Sequence, residues 1–441
     1  MNRRIAIIGA GYAGMAAAVE LAQAGIAVEV FEAAAELGGR ARAVHLRQAT
    51  VDNGQHLLVG AYSETLRLLR LVDANQAQRL SPLLRLPLTL VYPGAMSLRA
   101  AALPAPLHLA SALLLARGLG LADKWAALRF MRAMQARRFL LASDCSVAAL
   151  LEAQRQTAPL RRLLWEPLCL AALNTLPEAA SARVFLKVLG DTLGAARSAS
   201  DLLLPRVDLG ALFPDRAAAY LGARGGRVHR LTPVRAVVAA DGGYTVIGKG
   251  GELGHYPQVI VAVAPWHASS LLAALPTLAA LRQDLQALRS EPIVTCYLAY
   301  SAAVRLAQPM LGHCGGHLQW LFDRGQLAGP AGLLAAVISA DGPHRRLDNR
   351  ALIAAVHTEI AAMVAGLPPP QWSRVIREQR ATFACTPDLA RPPLRTALPG
   401  LLLAGDYVAS EYPATLEAAV RSGVAAAVAA RSGLQAAAGQ T

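Results

Sequence analysis

The sequence has no uninterrupted apolar stretch of the ~20 residues that a membrane-spanning helix requires. The longest candidate covers residues 103–121, and two prolines, a histidine, an arginine and a glycine interrupt it. We therefore expect no membrane-spanning helix, although hydrophobic residues make up 54% of the chain. The first predicted strand begins within the first few residues, so we also expect no signal peptide and a cytoplasmic location.

Cysteine and aromatic residues are both scarce. The five cysteines have no CxxC spacing, which favours buried thiols in a reducing cytosol over disulfides or a metal site. Aromatic residues make up 5% of the chain, and no basic patch alternates with aromatics that could stack on bases. Nucleic acid is therefore not an expected partner.

Acidic residues are outnumbered, with 29 Asp and Glu against 43 Lys and Arg and a net charge of +14. Between Arg99 and Arg162, ten basic residues are opposed by three acidic ones, and the same segment contains the apolar residues 107–121. Basic residues beside an apolar stretch suit an anionic membrane surface, whereas the alternative is a solvated arginine-rich face. We expect peripheral attachment at the inner face of the membrane, through residues 104–138.

A glycine-rich turn between a predicted strand and a predicted helix is the most informative feature of the chain. The apolar run 5–8 predicts a buried parallel strand, and three glycines follow it at GxGxxG spacing. They allow a tight turn, a close approach to a pyrophosphate and close packing of helix 13–24, whose first N–H groups would point at the phosphates. The predicted cofactor contacts here are Gly9, Gly11, Tyr12, Ala13 and Gly14.

Two further signals indicate that the dinucleotide is FAD. Residues 28–31 are predicted as the second strand, and Glu32 at its tip can accept both ribose hydroxyls of an adenosine. The sequence Gly38-Gly39-Arg40 adds a second phosphate-binding element, in which Gly39 and Arg40 are predicted contacts. A second glycine pair with an arginine is typical of FAD enzymes rather than NAD enzymes.

More predicted flavin contacts lie near the end of the chain. Gly405 and Asp406 close an apolar strand, where the carboxylate can bind a ribityl hydroxyl or lie near the pyrophosphate; a simple turn is the alternative. A helix beginning near Thr415 and Leu416 would point N–H groups at the flavin N1/O2 edge and stabilise the negative charge of the reduced ring. The remaining predicted contacts are Gly54, which allows close approach, Gln55, and Val234 at the start of a predicted strand.

Two residues are candidates for the catalytic acid. His56 follows Gly54 and Gln55 directly, and the alternative is a structural histidine bonded to the main chain. Glu166 is the one acid in the apolar run 164–175, where a raised pKa would let it donate a proton. The alternative for Glu166 is a helix cap or a salt bridge.

The dispersed nucleotide-binding signals predict a discontinuous domain organisation. The expected fold class is α/β, with a Rossmann-type FAD-binding domain and a second, α+β substrate domain. We assign residues 1–65, 216–266 and 395–433 to the first domain and residues 66–215 and 267–394 to the second. Residues 434–441 are predicted to form a disordered tail.

Together these motifs resemble the flavin amine oxidase and phytoene desaturase superfamily over most of the chain. Residues 51–62 and 165–175 are similar, more narrowly, to the hydroxysqualene dehydroxylases of bacterial hopanoid pathways. The resemblance implies an amine oxidase-like two-domain fold, an FAD cofactor, and reduction of hydroxysqualene to squalene. It implies that Glu32 binds the adenosine ribose, Arg40 the pyrophosphate, Asp406 the ribityl-phosphate region, and the Leu416 N–H group the flavin. Ala418 departs from the Glu-Gly-Ala pattern of the superfamily.

Three other functions remain open at this stage. A carotenoid-type desaturase would run the flavin in the oxidising direction on a similar hydrocarbon. An amine oxidase is disfavoured because the sequence shows no aromatic pair near the C-terminal flavin motif, where Tyr407 and Tyr412 are the only tyrosines. A non-catalytic isoprenoid carrier is disfavoured by the intact Glu32, Arg40 and Asp406. The sequence does not indicate the electron donor.

Overall fold

The computed structural model describes residues 4–73 and 81–438. In chain order the strands are β1 (Ile5–Ile8), β2 (Val28–Phe31), β3 (Ala43–His45), β4 (Thr50–Asp52), β5 (Leu58–Val59), β6 (Leu83–Leu86), β7 (Thr89–Tyr92), β8 (Met96–Arg99), β9 (Leu202–Pro205), β10 (Arg227–His229), β11 (Val234–Ala240), β12 (Gly243–Gly248), β13 (Gly251–Tyr256), β14 (Gln258–Val261), β15 (Ser290–Ala299), β16 (Met310–Gly312), β17 (Trp320–Asp323), β18 (Leu333–Ser339), β19 (Trp372–Phe383) and β20 (Leu401–Leu403).

The helices are α1 (Tyr12–Gln23), α2 (Ser63–Val72), α3 (Leu107–Leu114), α4 (Leu121–Ala136), α5 (Val147–Ala153), α6 (Ala158–Leu160), α7 (Glu166–Leu173), α8 (Ala182–Thr192), α9 (Leu209–Leu212), α10 (Pro214–Gly222), α11 (Pro265–Leu271), α12 (Ala279–Ala287), α13 (Asn349–Met363) and α14 (Leu416–Ala438). Within the described parts of the chain, no helix combines the length and the apolar character needed to cross a bilayer.

A parallel sheet of five strands, in the order β10-β2-β1-β14-β20, forms the first half of the architecture. Strands β1, β14 and β20 are completely buried, as expected for short Ile/Val/Leu runs covered on both faces. Helices α1, α10 and α14 pack against this sheet and each other. The sheet takes its strands from residues 5–31, 227–261 and 401–403, whereas the exact domain boundaries stay a prediction.

An antiparallel sheet of five strands, in the order β16-β17-β18-β15-β19, forms the second half. Its outer face packs on α13. Its inner face, which we define by Thr295, Tyr297, Trp320, Phe322, Ala335 and Val337, turns toward the residues that follow β4. The hydroxyl of Tyr297 donates to the main-chain oxygen of Asp52 at 2.9 Å, and this bond ties the two halves together.

Helices α3 to α8 and four short strands, β6 to β9, also belong to the second half. At the C-terminus, residues 434–438 were predicted as part of a disordered tail, but they continue helix α14. Alanine has the highest helix propensity, which accounts for this extension through an alanine-rich sequence. The end of the predicted tail, residues 439–441, lies outside the described residues.

Candidate active site

Two glycine-rich turns lie side by side at the carboxyl end of β1. Gly9 follows the strand with a φ of +105°, and α1 begins three residues later with no side-chain cap on its first N–H groups. A Cβ built on Gly11 would lie 3.9 Å from the Gly38 carbonyl oxygen, and one on Gly39 would lie 3.4 Å from the Gly11 Cα. The turns therefore form one cradle of bare main chain at a helix N-terminus, which suits a pyrophosphate.

Tyr12, Ala13 and Gly14 contribute to the packing of the first turn of α1. A Cβ on Gly14 would lie 2.0 Å from the carbonyl oxygen of Gly9, so no larger residue fits there. The hydroxyl of Tyr12 donates to the main-chain oxygen of Leu209 at 2.9 Å, and the side chain of Ala13 is buried. The predicted phosphate contacts of Tyr12 and Ala13 would therefore come from their main-chain N–H groups in the first turn of α1.

Glu32 lies directly over the glycine turn. Its two carboxylate oxygens accept hydrogen bonds from the main-chain N–H groups of Ala10 at 2.8 Å and Ala34 at 2.9 Å. Val234 begins β11, and the N–H of Thr232 just before it donates to the main-chain oxygen of Glu32 at 2.8 Å. The start of β11 is thus tied to the main chain of Glu32, and the adenosine contacts of Glu32 and Val234 stay a prediction.

Arg40 and Asp406 meet although they are far apart in the chain. Arg40 Nη2 lies 2.5 Å from Asp406 Oδ1, and Nη1 donates to the main-chain oxygen of Ala381 at 2.6 Å. Burial lowers the pKa of the Arg40 guanidinium, but Asp406 outweighs this effect and the pKa is raised. The buried hydroxyl of Tyr407 lines the same cleft and has no hydrogen-bond partner. A polar cofactor group would supply that partner.

The C-terminal motif fixes the start of α14 beside this cleft. The N–H of Gly405 donates to the hydroxyl of Ser422 at 3.0 Å, which holds the end of β20 against the helix. The hydroxyl of Thr415 accepts the N–H of Ala418 at 3.1 Å and caps α14, whose first residue is Leu416. The Thr415 side chain is therefore engaged in capping, and the predicted flavin contact would come from main-chain N–H groups at Leu416.

The segment Gly54-Gln55-His56 lies between the two sheets. Gln55 is buried, and its side-chain oxygen accepts a hydrogen bond from Arg324 Nη1 at 2.9 Å. The Nδ1 atom of His56 lies 2.7 Å from the main-chain oxygen of Gly54, and burial lowers the pKa of the imidazole. A neutral ring that donates from Nδ1 keeps Nε2 as an acceptor, so this geometry suits an orienting group better than the predicted proton donor.

Glu166 lies in the first turn of α7, and its carboxylate is 3.4 Å from Arg161 Nε. The side chain is 32% exposed, so the apolar surroundings expected from the sequence do not enclose it. Helical main chain precedes α7 through a π-helical turn at Arg161–Trp165, so Glu166 does not cap a free helix N-terminus. These contacts match the salt-bridge alternative rather than the role of a proton donor, which stays a prediction.

Sequence reasoning missed the pair Asp52 and Arg324. Both side chains are 1% exposed, and Arg324 Nη1 lies 3.7 Å from Asp52 Oδ2. Desolvation raises the pKa of Asp52 to about 6, against the opposing effects of Arg324 and of the hydrogen bond from the Leu209 N–H. The local sequence shows only that Arg324 follows a mainly apolar strand, and this does not indicate Asp52 as its partner.

The chain is similar to known proteins over nearly its whole length. Residues 12–431 match the family model described as flavin containing amine oxidoreductase. A hydroxysqualene dehydroxylase from Rhodopseudomonas palustris is 32% identical over 96% of this chain and 97% of its own length. A zeta-carotene desaturase from Arabidopsis thaliana is 26% identical over 95% of this chain and 84% of its own. The structure of an oxidoreductase from Methanosarcina mazei superposes with a TM-score of 0.74 at 15% identity, over 96% of this chain and 99% of that one.

The residues present fit FAD. The glycine cradle leaves room for a pyrophosphate, Glu32 is placed for a ribose, and the unpartnered hydroxyl of Tyr407 lies beside Arg40 and Asp406. The predicted fold class is confirmed as an α/β FAD-binding domain combined with a second α+β domain. The chain belongs to the flavin-containing amine oxidoreductase family and is an FAD-dependent oxidoreductase.

Proposed function

We propose that this enzyme reduces hydroxysqualene to squalene with loss of water. The observation that carries the proposal is the near-full-length similarity to a hydroxysqualene dehydroxylase, together with residues 51–62 and 165–175, which resemble that group. The Gly54–His56 segment of the first stretch lies against the apolar inner face of the antiparallel sheet, whose side chains would supply the apolar contacts that a long hydrocarbon requires.

The reaction breaks the allylic C–O bond and forms a C–H bond at the same carbon. The glycine cradle, Glu32 and Arg40 would hold FAD, which in its two-electron-reduced form would supply the hydride. A proton joins the hydroxyl group, so that it leaves as water. The inner face excludes water from the allylic carbon, which protects a developing cation. The N-terminus of α14 favours negative charge beside it, as the reduced ring requires. The neutral His56 can orient the hydroxyl through Nε2.

The second candidate is a carotenoid-type desaturase, which the similarity to a zeta-carotene desaturase favours. It would use oxidised FAD to remove two hydrogens from a hydrocarbon of similar length. A non-catalytic isoprenoid carrier is disfavoured because it would have no use for Glu32, Arg40 and Asp406, which are predicted to bind FAD.

An anaerobic single-turnover assay separates these candidates. With reduced FAD and hydroxysqualene in deuterated buffer, we expect squalene, oxidised flavin and one deuterium at the carbon that carried the hydroxyl. Deuterium appears there because the N5 hydrogen of reduced flavin exchanges with solvent before transfer. Oxidised enzyme with zeta-carotene or phytoene is the control. Desaturation of these hydrocarbons, with hydroxysqualene untouched, would contradict the proposal.

We further propose that the enzyme docks on an anionic membrane through a leucine surface formed by α3, α4 and the loop before them. Six of the eleven large hydrophobic side chains that are exposed in the described residues lie in this segment: Leu103, Leu107, Leu114, Leu115, Leu121 and Trp125. Lys124 Nζ donates to the main-chain oxygen of Leu114 at 2.7 Å, so the end of α3 lies beside the start of α4. A bilayer suits this surface because exposed arginines, among them Arg117 and Arg129, belong to the same segment.

A further inference from the structure

We propose that Thr295 binds the hydroxyl group of the substrate and makes the site selective for the alcohol over the hydrocarbon. The inference rests on the proposed function, because it requires a substrate that carries a hydroxyl group. Thr295 belongs to none of the sequence motifs described above. It lies on strand β15, inside the antiparallel sheet.

Thr295 lies in an apolar row that crosses the inner face. It is opposite Val337 on β18, and Val337 is opposite Trp320 on β17. Side chains directly opposite on paired strands share a face, so the threonine hydroxyl is placed among aliphatic and aromatic groups. Tyr297 and Ala335, the next pair on this face, are buried as well. A hydrocarbon chain lying along the inner face would contact all of them.

The hydroxyl of Thr295 is an exception among buried polar groups. The residue is 1% exposed, and Oγ1 has no hydrogen-bond partner. Buried hydroxyl groups almost always have a partner, and one left without a partner reduces stability. Thr382, on the neighbouring strand β19, follows the rule because its hydroxyl accepts a hydrogen bond from Asn174 at 3.0 Å. Valine would fill the same space as Thr295 without that cost, which indicates a ligand for the hydroxyl.

Thr295 faces the segment that approaches the flavin site. A Cβ built on Gly54 would lie 3.9 Å from both Thr295 Oγ1 and His56 Cε1, so the two side chains flank the same glycine. The threonine hydroxyl can donate to the oxygen of an alcohol, while Nε2 of the neutral His56 can accept its proton. An alcohol both donates and accepts, and the two groups together meet that requirement. Squalene offers neither function and would leave Thr295 without a partner.

Three other buried donors on this side of the sheet have no hydrogen-bond partner: Trp320 Nε1, the Tyr92 hydroxyl and Arg324 Nε. The guanidinium of Arg324 already bonds to Gln55 and lies beside Asp52. The rings of Trp320 and Tyr92 are 5.8 Å apart. Trp320 lies two strands away from Thr295, at ~4.8 Å per strand, and Tyr92 belongs to the separate sheet of β7 and β8. They offer a competing place for the hydroxyl at a distance from Gly54. The proximity of Thr295 to Gly54 and His56 is the reason to place the hydroxyl at Thr295.

The test measures equilibrium binding to the oxidised holoenzyme, which cannot reduce hydroxysqualene. Hydroxysqualene and squalene are titrated separately while the flavin absorbance is followed. In Thr295→Val we expect about a tenfold weaker affinity for hydroxysqualene and an unchanged affinity for squalene. Thr295→Ser should restore most of the loss. Tyr92→Phe is the matched control that removes a competing donor, and it should change both affinities by less than twofold. Trp320→Phe removes the other competing donor together with part of the apolar inner face, so it should weaken both affinities alike.

The outcomes distinguish this inference from the proposed function. The melting temperature of Thr295→Val should not fall, because the substitution removes an unpartnered hydroxyl, and FAD occupancy should be unchanged. Equal losses for both ligands, no loss at all, or a selective loss in Trp320→Phe or Tyr92→Phe would overturn the role of Thr295. Wild-type enzyme that neither binds nor reduces hydroxysqualene would contradict the proposed function and the inference with it.

Discussion

At the scale of single residues, Asp52 and Arg324 form a buried pair of opposite charges that connects the two halves of the molecule. Burial penalises the ionised carboxyl group, and Arg324 at 3.7 Å recovers part of that penalty. The side chain of Arg324 also bonds to Gln55, so one guanidinium holds both Asp52 and the segment before His56. Burying these charges is unfavourable, but the contacts of Arg324 fix the position of the Gly54–His56 segment.

The raised pKa of Asp52 predicts a pH dependence of stability. The pKa is about 6 in the folded state and ~3.9 in the unfolded state, so the folded protein binds more protons between these values. Its contribution to the free energy of unfolding is therefore greatest in acid and decreases as pH rises to about 6, becoming constant above about 7. In Asp52→Asn this dependence should vanish.

Urea denaturation of the holoenzyme at about pH 5 and about pH 7.5, at fixed FAD concentration, measures the effect. The difference between the two free energies of unfolding should be smaller in Asp52→Asn than in wild type by about 1 kcal/mol. Glu166→Gln is the matched control for the substitution itself, because it also replaces a carboxyl group by an amide but does so at Arg161 and away from Arg324. An identical difference in Asp52→Asn and wild type would refute the assignment.

At the scale of elements, the close crossing of α1 and α14 positions the cofactor cradle. Gly423 on α14 lies against α1, and a Cβ built there would be 2.1 Å from the main-chain oxygen of Ala13. That carbonyl belongs to the first turn of α1, which begins at the cradle. Any side chain at position 423 must separate the two helices and displace this turn.

Gly423→Ala should therefore lower stability by about 1–3 kcal/mol and weaken FAD binding at the same time. Thermal unfolding of the apoprotein and fluorescence titration with FAD measure the two effects. Gly222→Ala at the end of α10 is the matched control, since a Cβ there meets no atom within 4 Å. It should be neutral or stabilising by up to ~1 kcal/mol, because alanine favours the helix. Normal FAD affinity in a stable Gly423→Ala variant would contradict the argument.

Over the whole molecule, the sequence predicted what neighbouring residues determine. The strand, glycine turn and helix at the N-terminus, and the hairpin of β11 and β12 around Asp241-Gly242, are encoded by contiguous residues, and the structure contains both. The partners of individual side chains could not be predicted in this way, because these contacts join segments that are distant in the sequence. Glu417 illustrates this: its carboxylate caps α2 by accepting the N–H groups of Glu64 and Thr65. Thr295 likewise has the appearance of an ordinary strand threonine until the sheet register places it.

Membrane attachment is also a property of the whole molecule, because it depends on where the exposed leucines lie on the folded surface. Leu115 on the leucine surface is 73% exposed and Leu121 is 86% exposed, whereas Leu231, outside that segment, is 70% exposed. Inserting one leucine into the acyl region contributes about 1.5–3 kcal/mol, so its loss should weaken binding at least tenfold. Equal exposure with a different position thus separates docking from general surface hydrophobicity.

Sedimentation with vesicles of phosphatidylcholine and phosphatidylglycerol tests this prediction. Leu115→Gln and Leu121→Gln should each lower the apparent affinity for the vesicles at least tenfold. The affinity of Leu231→Gln should stay within twofold of wild type. Wild-type binding should also weaken with added salt and with vesicles of phosphatidylcholine alone, because exposed arginines such as Arg129 contribute ~1 kcal/mol each near an anionic surface. Equal release by all three substitutions would show that the leucine surface has no special part in docking, and an unchanged bound fraction would refute insertion of its leucines.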